Sequence, residues 1–236
     1  MATHASRRRR HRGFTLIELM IAIAAMALLA LMSWRGLDGM TRAQAQNRDR
    51  SDAVLTLQTT LSQWGADLDA TVALTRTQPI DWNGRVLRLT RRSADATQPA
   101  LHVVAWTVRT DVGSGQRWRR WQSPPIVTRA GWQQAWEQAA VWAQDGGGNS
   151  SNGNDNGSQN NGQTGGTEVA LMPIEAWQLL YFNGTAWTDA ASAGASGTSA
   201  TVPEGLRLVL TLPPGPGLAG TLIRDWVRPT ASVPKS

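Results

Sequence analysis

The side chains that most often carry chemistry are nearly missing from this 236-residue sequence: there is no cysteine, His4 and His11 stand among the first twelve residues, and His102 is alone in the body. The sole lysine is Lys235. A phosphate-cradling Gly-Lys loop, a histidine-rich or thiolate zinc site and a Schiff-base lysine lack the residues they require. Asn154-Asp155-Asn156-Gly157 has the look of a calcium loop, yet it holds one carboxylate and no closing glutamate, so it reads as solvated linker. No catalytic, cofactor-binding or metal residue is expected. Carboxylate-only catalysis remains open through Glu168, Glu175 or Glu204, and it would require an acidic pair in a cleft.

Glu18 is chemically notable for its position. It lies inside FTLIELMIAIAAMALLALMSW, Phe14 to Trp34, a run of 21 residues with no other charge. At about 1.5 Å per residue such a helix spans about 32 Å, the thickness of a bilayer core. A carboxylate at that depth costs on the order of 2.5–3.5 kcal/mol unless it finds a partner. Arg7, Arg8, Arg9, Arg10 and Arg12 precede the run and Arg35 alone follows at once, so the positive-inside rule keeps the N-terminus cytoplasmic. Trp34 fits an interfacial anchor.

The formal charge of +6 suggests an anionic partner such as nucleic acid, but its location decides otherwise. Five of the 23 basic residues stand before Gly13, leaving 18 basic against 17 acidic residues beyond it. A near-neutral body argues against strong electrostatic binding of nucleic acid, including in a basic aromatic groove of Arg117, Arg119 and Arg120.

An ordinary secretory signal would be cut after the apolar run and would not carry a carboxylate within it. A twin-arginine signal at Ser6-Arg7-Arg8 would be followed at once by apolar residues, where this chain has more arginine, His11 and Gly13. The third reading rests on GFTLIE, Gly13 to Glu18, which resembles the type III leader of type IV pilins and pseudopilins. That resemblance implies that prepilin peptidase cuts Gly13–Phe14 and leaves the helix in place, that Phe14 becomes an N-methylated terminus, and that Glu18 pairs with the terminal amine of a neighbouring subunit to direct assembly. The glycine suits a cleavage point, since lacking a side chain it allows close backbone approach.

Beyond the run, Val54, Leu57, Leu61, Trp64 and Leu68 recur every three or four residues and extend the helix from Phe14 to near Ala70, with Gly36 and Gly39 expected to interrupt it. Period-two alternation predicts strands at Arg85 to Thr90, Leu101 to Arg109, Gln116 to Gln122, Ala176 to Phe182, Leu206 to Leu212 and Thr221 to Val227. Asn183-Gly184 marks a hairpin leading to Trp187, and Trp132, Trp136 and Ala139 suggest a short helix. The 12 tryptophans read as core and strand-pair residues, with an exposed partner-binding cluster around Trp118, Trp121, Trp132 and Trp136 as the alternative.

The organisation expected is therefore α+β: a leader at 1–13, a transmembrane helix at 14–34, its continuation at 35–72, an antiparallel β-rich domain at 73–145 and 167–229, a disordered Gly/Asn-rich loop at 146–166, and a flexible tail at 230–236. SWRGLDGM (Ser33 to Met40), LQTTLSQWGADLD (Leu57 to Asp69), LLYFNGTAW (Leu179 to Trp187), VPEGLRLVLTL (Val202 to Leu212) and GTLIRDWVRP (Gly220 to Pro229) together resemble the J-type minor pseudopilins of type II secretion systems. The resemblance implies a long N-terminal helix packed on antiparallel sheet. It implies membership, with I-, K- and H-type minor pseudopilins and the major pseudopilin, of the tip of a periplasmic pseudopilus anchored in the inner membrane and supporting export of folded proteins. It implies no cofactor and no specific nucleic acid. A minor pilin of a type IV pilus or a DNA-uptake machine is the alternative.

Overall fold

The computed structural model describes residues 14–93, 100–111, 113, 115–144, 165–195, 202–215 and 217–229. The leader with Gly13, most of the Gly/Asn-rich segment and the last seven residues lie outside them.

The chain divides into two units, Met1–Asp49 and Arg50–Ser236. In the first, helix α1 (Leu16–Asp69) begins, and its residues are exposed all round. Leucine, methionine and alanine dominate its first turns and no proline interrupts it, so each added residue contributes a hydrogen bond at little entropic cost. Gly36 and Gly39, expected to interrupt the helix, lie within its unbroken length. A cost of about 1 kcal/mol per glycine is too small to break a cooperative run of that length.

In the second unit α1 turns amphipathic and buries Leu57, Thr60, Trp64, Asp67 and Leu68. It stops where β-branched Thr71 and Val72 are drawn into sheet pairing. Thr71 Oγ1 donates to Asp67 O at 3.0 Å, Val72 N–H donates to Thr90 O at 2.9 Å, and Thr71 bridges Arg91.

Five antiparallel strands form the first sheet in chain order: β1 (Ile80–Trp82), β2 (Val86–Arg92), β3 (Leu101–Asp111), β4 (Gly115–Gln122) and β5 (Thr167–Pro173). Helix α2 (Arg129–Gln144) lies between β4 and β5 in sequence and starts at Thr128, whose Oγ1 accepts from Gly131 N–H at 3.1 Å. The second sheet holds β6 (Ala176–Phe182), β7 (Trp187–Asp189), β8 (Gly205–Leu212) and β9 (Gly220–Val227) in the order β7-β6-β8-β9, with the short helix α3 (Ala190–Ala195) between β7 and β8 in the chain. The β6–β7 hairpin closes through Asn183 Oδ1, which accepts from Thr185 and Ala186 N–H, with Gly184 at φ 90°. The alternation rule does not reach β1 and β5. β1 has three residues, and the β4–β5 register shifts between Trp118 and Arg119, which breaks the period that a strand presents.

The first sheet is buried on both faces, which is why Leu101 to Val108 reads as an almost continuous apolar run. One face, with Leu87, Leu89, Val104, Trp106 and Trp118, shares a core with Trp64 and Leu68 of α1 and with Leu179, Leu206, Leu208 and Leu210 of the second sheet. On the other, Val86, Val103, Ala105 and Trp121 pack with Trp132, Trp136 and Ala139 of α2. Trp64 is the centre of the larger core, its ring 5.2 Å from Trp106, 5.3 Å from Trp118 and 6.2 Å from Trp177. Tilted and edge-on aromatic pairs of this kind contribute about 0.5–1.5 kcal/mol each beyond the area they bury. Trp118, Trp121, Trp132 and Trp136 are all buried, so the alternative of an exposed cluster gives way to the core reading. Gly166, expected within the disordered loop, is buried at the entry to β5, where any side chain would collide with the Trp121 indole.

Candidate assembly site

Phe14 is exposed, and the chain becomes helical two residues later. The helix start is capped reciprocally. Thr15 N–H and Thr15 Oγ1 both donate to Glu18 Oε2, at 3.2 and 3.0 Å, while Glu18 N–H donates to Thr15 Oγ1 at 3.4 Å. Thr-x-x-Glu is a capping box: threonine is the N-cap, and the glutamate three residues later reaches back over the first turn. The carboxylate also sits at the positive end of the helix macrodipole, where negative charge is stabilised by about 0.3–1 kcal/mol. Sequence reasoning singled out Glu18 for its charge in an apolar run and missed this second role, although the Thr15-Leu16-Ile17-Glu18 spacing announces it. Gly13 lies outside the described residues, and Phe14 and Glu18 are four residues apart on the same helix start.

A second polar centre joins α1 to the first sheet. Asp67, fully buried, accepts from Trp106 Nε1 at 2.9 Å, Gln63 Nε2 at 3.0 Å, Arg120 Nε and Nη2 at 2.7 and 2.9 Å, and Arg91 Nη1. One carboxylate thus ties the last turn of the helix to β2, β3 and β4. A buried charge is tolerated only when paired and hydrogen-bonded, and Asp67 is both. Farther along, Trp226 Nε1 donates to Asp69 Oδ1 at 2.8 Å and links α1 to β9. No periodicity rule flags Asp67, since a polar residue on a buried helix face is visible only once the sheet beneath it is known.

The other carboxylates considered from sequence are placed apart. Glu168 Oε1 takes bonds from Arg109 and Arg119, and its Oε2 accepts from Trp142 Nε1 at 2.6 Å, so it clamps β5 to β3, β4 and α2. Glu175 and Glu204 are exposed just beyond opposite ends of the β6–β8 ladder, and among the described residues no two of the three share a hydrogen-bonding partner. The arginines weighed as a groove have different surroundings. Arg119 is tied to Asp111 and Glu168, whose hydrogen bonds and charge outweigh burial and raise its pKa, while Arg120 is tied to Asp67. Arg117 Nε is buried without a partner. His102 holds Ser123 O at 2.9 Å through Nδ1. Among the described residues no group of three His, Asp or Glu side chains is arranged to hold a metal ion.

The prokaryotic N-terminal methylation motif matches residues 8–34, the stretch that holds the exposed apolar start of α1 and its capped carboxylate. The helix is long and apolar enough to cross a membrane. Helix and motif together point to a single-pass inner-membrane protein. More particularly, the chain is 41% identical over 59 residues to the type II secretion system protein J of Klebsiella pneumoniae, a match covering 25% of this chain and 30% of that protein. The chain spans less than a third of that protein's length, so the likeness is to one part of a type II secretion system protein J.

Proposed function

We propose that this chain is a minor pseudopilin that assembles with I-, K- and H-type minor pseudopilins and the major pseudopilin at the tip of a periplasmic pseudopilus, and so supports export of folded proteins across the outer membrane. Prepilin peptidase cuts between Gly13 and Phe14, the amine of Phe14 is methylated, and Glu18 is the assembly charge. The role is mechanical, with no catalytic residue, metal or cofactor. Five arginines before the span against Arg35 just after it favour a cytoplasmic N-terminus and a periplasmic domain.

The observation that carries this reading is the position of Glu18. The capping box holds its carboxylate over the first turn of a helix whose first residues are apolar and exposed, the place where the cationic terminus of a neighbour at equal depth would meet it. Capping and assembly are separable by substitution. Glu18→Gln keeps an acceptor for Thr15 and removes the charge, whereas Glu18→Ala removes both. Leader cleavage is read by mass, membrane insertion by fractionation, and assembly by co-isolation with I- and K-type pseudopilins. Both variants are expected to be cleaved and inserted, and both to lose co-isolation. Retention of partners by Glu18→Gln would show that the carboxylate serves the helix cap alone. Recovery of pilus subunits in place of pseudopilins would favour the pilus alternative.

A further inference from the structure

The ladder between β8 and β9 runs from Gly205↔Val227 to Leu212↔Gly220 and continues where Arg228 N–H donates to Glu204 O at 2.9 Å. Arg228 and Glu204 face each other, so theirs is a hydrogen-bonded pair, and such pairs alternate along an antiparallel ladder. Trp226, Arg224 and Leu222 therefore turn their N–H and C=O groups toward β8. Val227, Asp225, Ile223 and Thr221 turn theirs to the other edge, where no strand pairs among the described residues. The same four residues stand on the outer face of the sheet, opposite the face that Leu206, Leu208 and Leu210 bury. Ile223 and Val227 are 59% and 66% exposed.

Proteins commonly guard such an edge with lysine, proline, a bulge or a very short strand. β9 has eight residues, an unbroken register and neither lysine nor proline. Asp225, the one charge on its outer face, is neutralised by Arg207, which donates two bonds of 2.7 Å to it. The uncompensated charge is Arg224, which is exposed and has no ion-pair partner among the described residues.

We infer that the free edge of β9 is a pairing site for an extended segment of another assembly subunit, one carrying a carboxylate opposite Arg224. An alternating row of backbone donors and acceptors is matched by another extended backbone, which supplies affinity, while Arg224 supplies the preference for an acidic strand. A second copy of β9 fits less well. Antiparallel self-pairing about Arg224 sets two guanidinium groups face to face, about Asp225 two carboxylates, and about Ile223 it sets Arg224 against Leu222. This inference rests on the assembly reading above and names the surface through which the domain takes part.

The test uses the full-length chain, alone in detergent and co-expressed with I- and K-type pseudopilins, with backbone amide exchange resolved by residue. In the isolated chain the amides of Thr221, Ile223, Asp225 and Val227 should exchange freely while those of Leu222, Arg224 and Trp226 are protected, and in the assembly all seven should be protected. Ile223→Pro removes only an outward N–H, a position where an edge strand accepts proline. Ile223→Pro and Arg224→Glu should each lower co-isolation by roughly tenfold with an unchanged melting temperature, as loss of an edge hydrogen bond or reversal of a paired charge implies, and Ile223→Ser should change it by less than about twofold. Wild-type co-isolation by Ile223→Pro, or protection of the four outward amides already in the isolated chain, overturns the inference and leaves the assembly reading standing. Failure of the wild-type chain to co-isolate with any pseudopilin overturns both.

Discussion

Replacing Asp67 by alanine removes the acceptor of two arginines at once. The side chains of Arg91 and Arg120 are 13% and 12% exposed, so neither guanidinium can rehydrate fully where it stands, and Trp106 Nε1 also loses its acceptor. Breaking a buried pair by deleting one partner costs about 3–5 kcal/mol, because the charge left behind is uncompensated. Against a total stability of about 5–15 kcal/mol this is a large fraction. At about 2–4 °C per kcal/mol for a domain of this size, the melting temperature should fall by roughly 10 °C. Thermal unfolding of the full-length chain in detergent, followed by circular dichroism, measures it. Asp67→Asn keeps the shape but not the charge, and either orientation of its amide turns an NH2 toward arginine or tryptophan donors, so it should lose a similar amount, about 3–5 kcal/mol. Adding Arg120→Leu to Asp67→Ala should restore part of the loss by removing one stranded charge. A melting temperature for Asp67→Ala within about 2 °C of the parent would refute the assignment of Asp67 as the tie between α1 and the first sheet.

Three further outcomes follow. Gly166→Ala would place a Cβ 2.4 to 2.6 Å from the Trp121 indole, and since that ring is fully buried, overpacking of about 1–3 kcal/mol should appear in the same melting experiment. Gly36→Ala and Gly39→Ala meet nothing within 4 Å, so each should strengthen the helix by about 1 kcal/mol and slow trypsin cleavage at Arg35 and Arg42, and faster cleavage would contradict an unbroken helix there. Arg207 holds the Asp225 carboxyl below its ordinary value through the hydrogen bonds between them. A carboxyl lowered in the folded state contributes stability above its unfolded pKa of about 3.9 and loses it as pH falls through the folded value. Asp225→Asn should therefore reduce stability near neutral pH slightly and flatten its decline in acid, which pH-dependent denaturant titration reads.

What sequence alone determined is what depends on neighbours along the chain. An apolar run of 21 residues is long enough to cross a membrane whatever follows it, and the spacing of Val54, Leu57, Leu61, Trp64 and Leu68 has one helical face. The alternation of Leu206, Leu208 and Leu210 makes β8 legible, and the Thr15–Glu18 capping box was legible too, being a spacing of three within one turn. Gly36 and Gly39 misled because glycine propensity is a small local cost, while helix continuity is a cooperative property of the whole run. Tertiary structure alone decided the partners of charge. Asp67 meets Arg91 and Arg120 across 24 and 53 residues, and Glu168 meets Arg109 and Arg119 across 59 and 49. It also decided which strand closes the second sheet: pairing partners are chosen by register between distant segments, so β9 reads in the sequence as any half-buried strand, and only the completed sheet leaves one of its edges without a paired strand among the described residues.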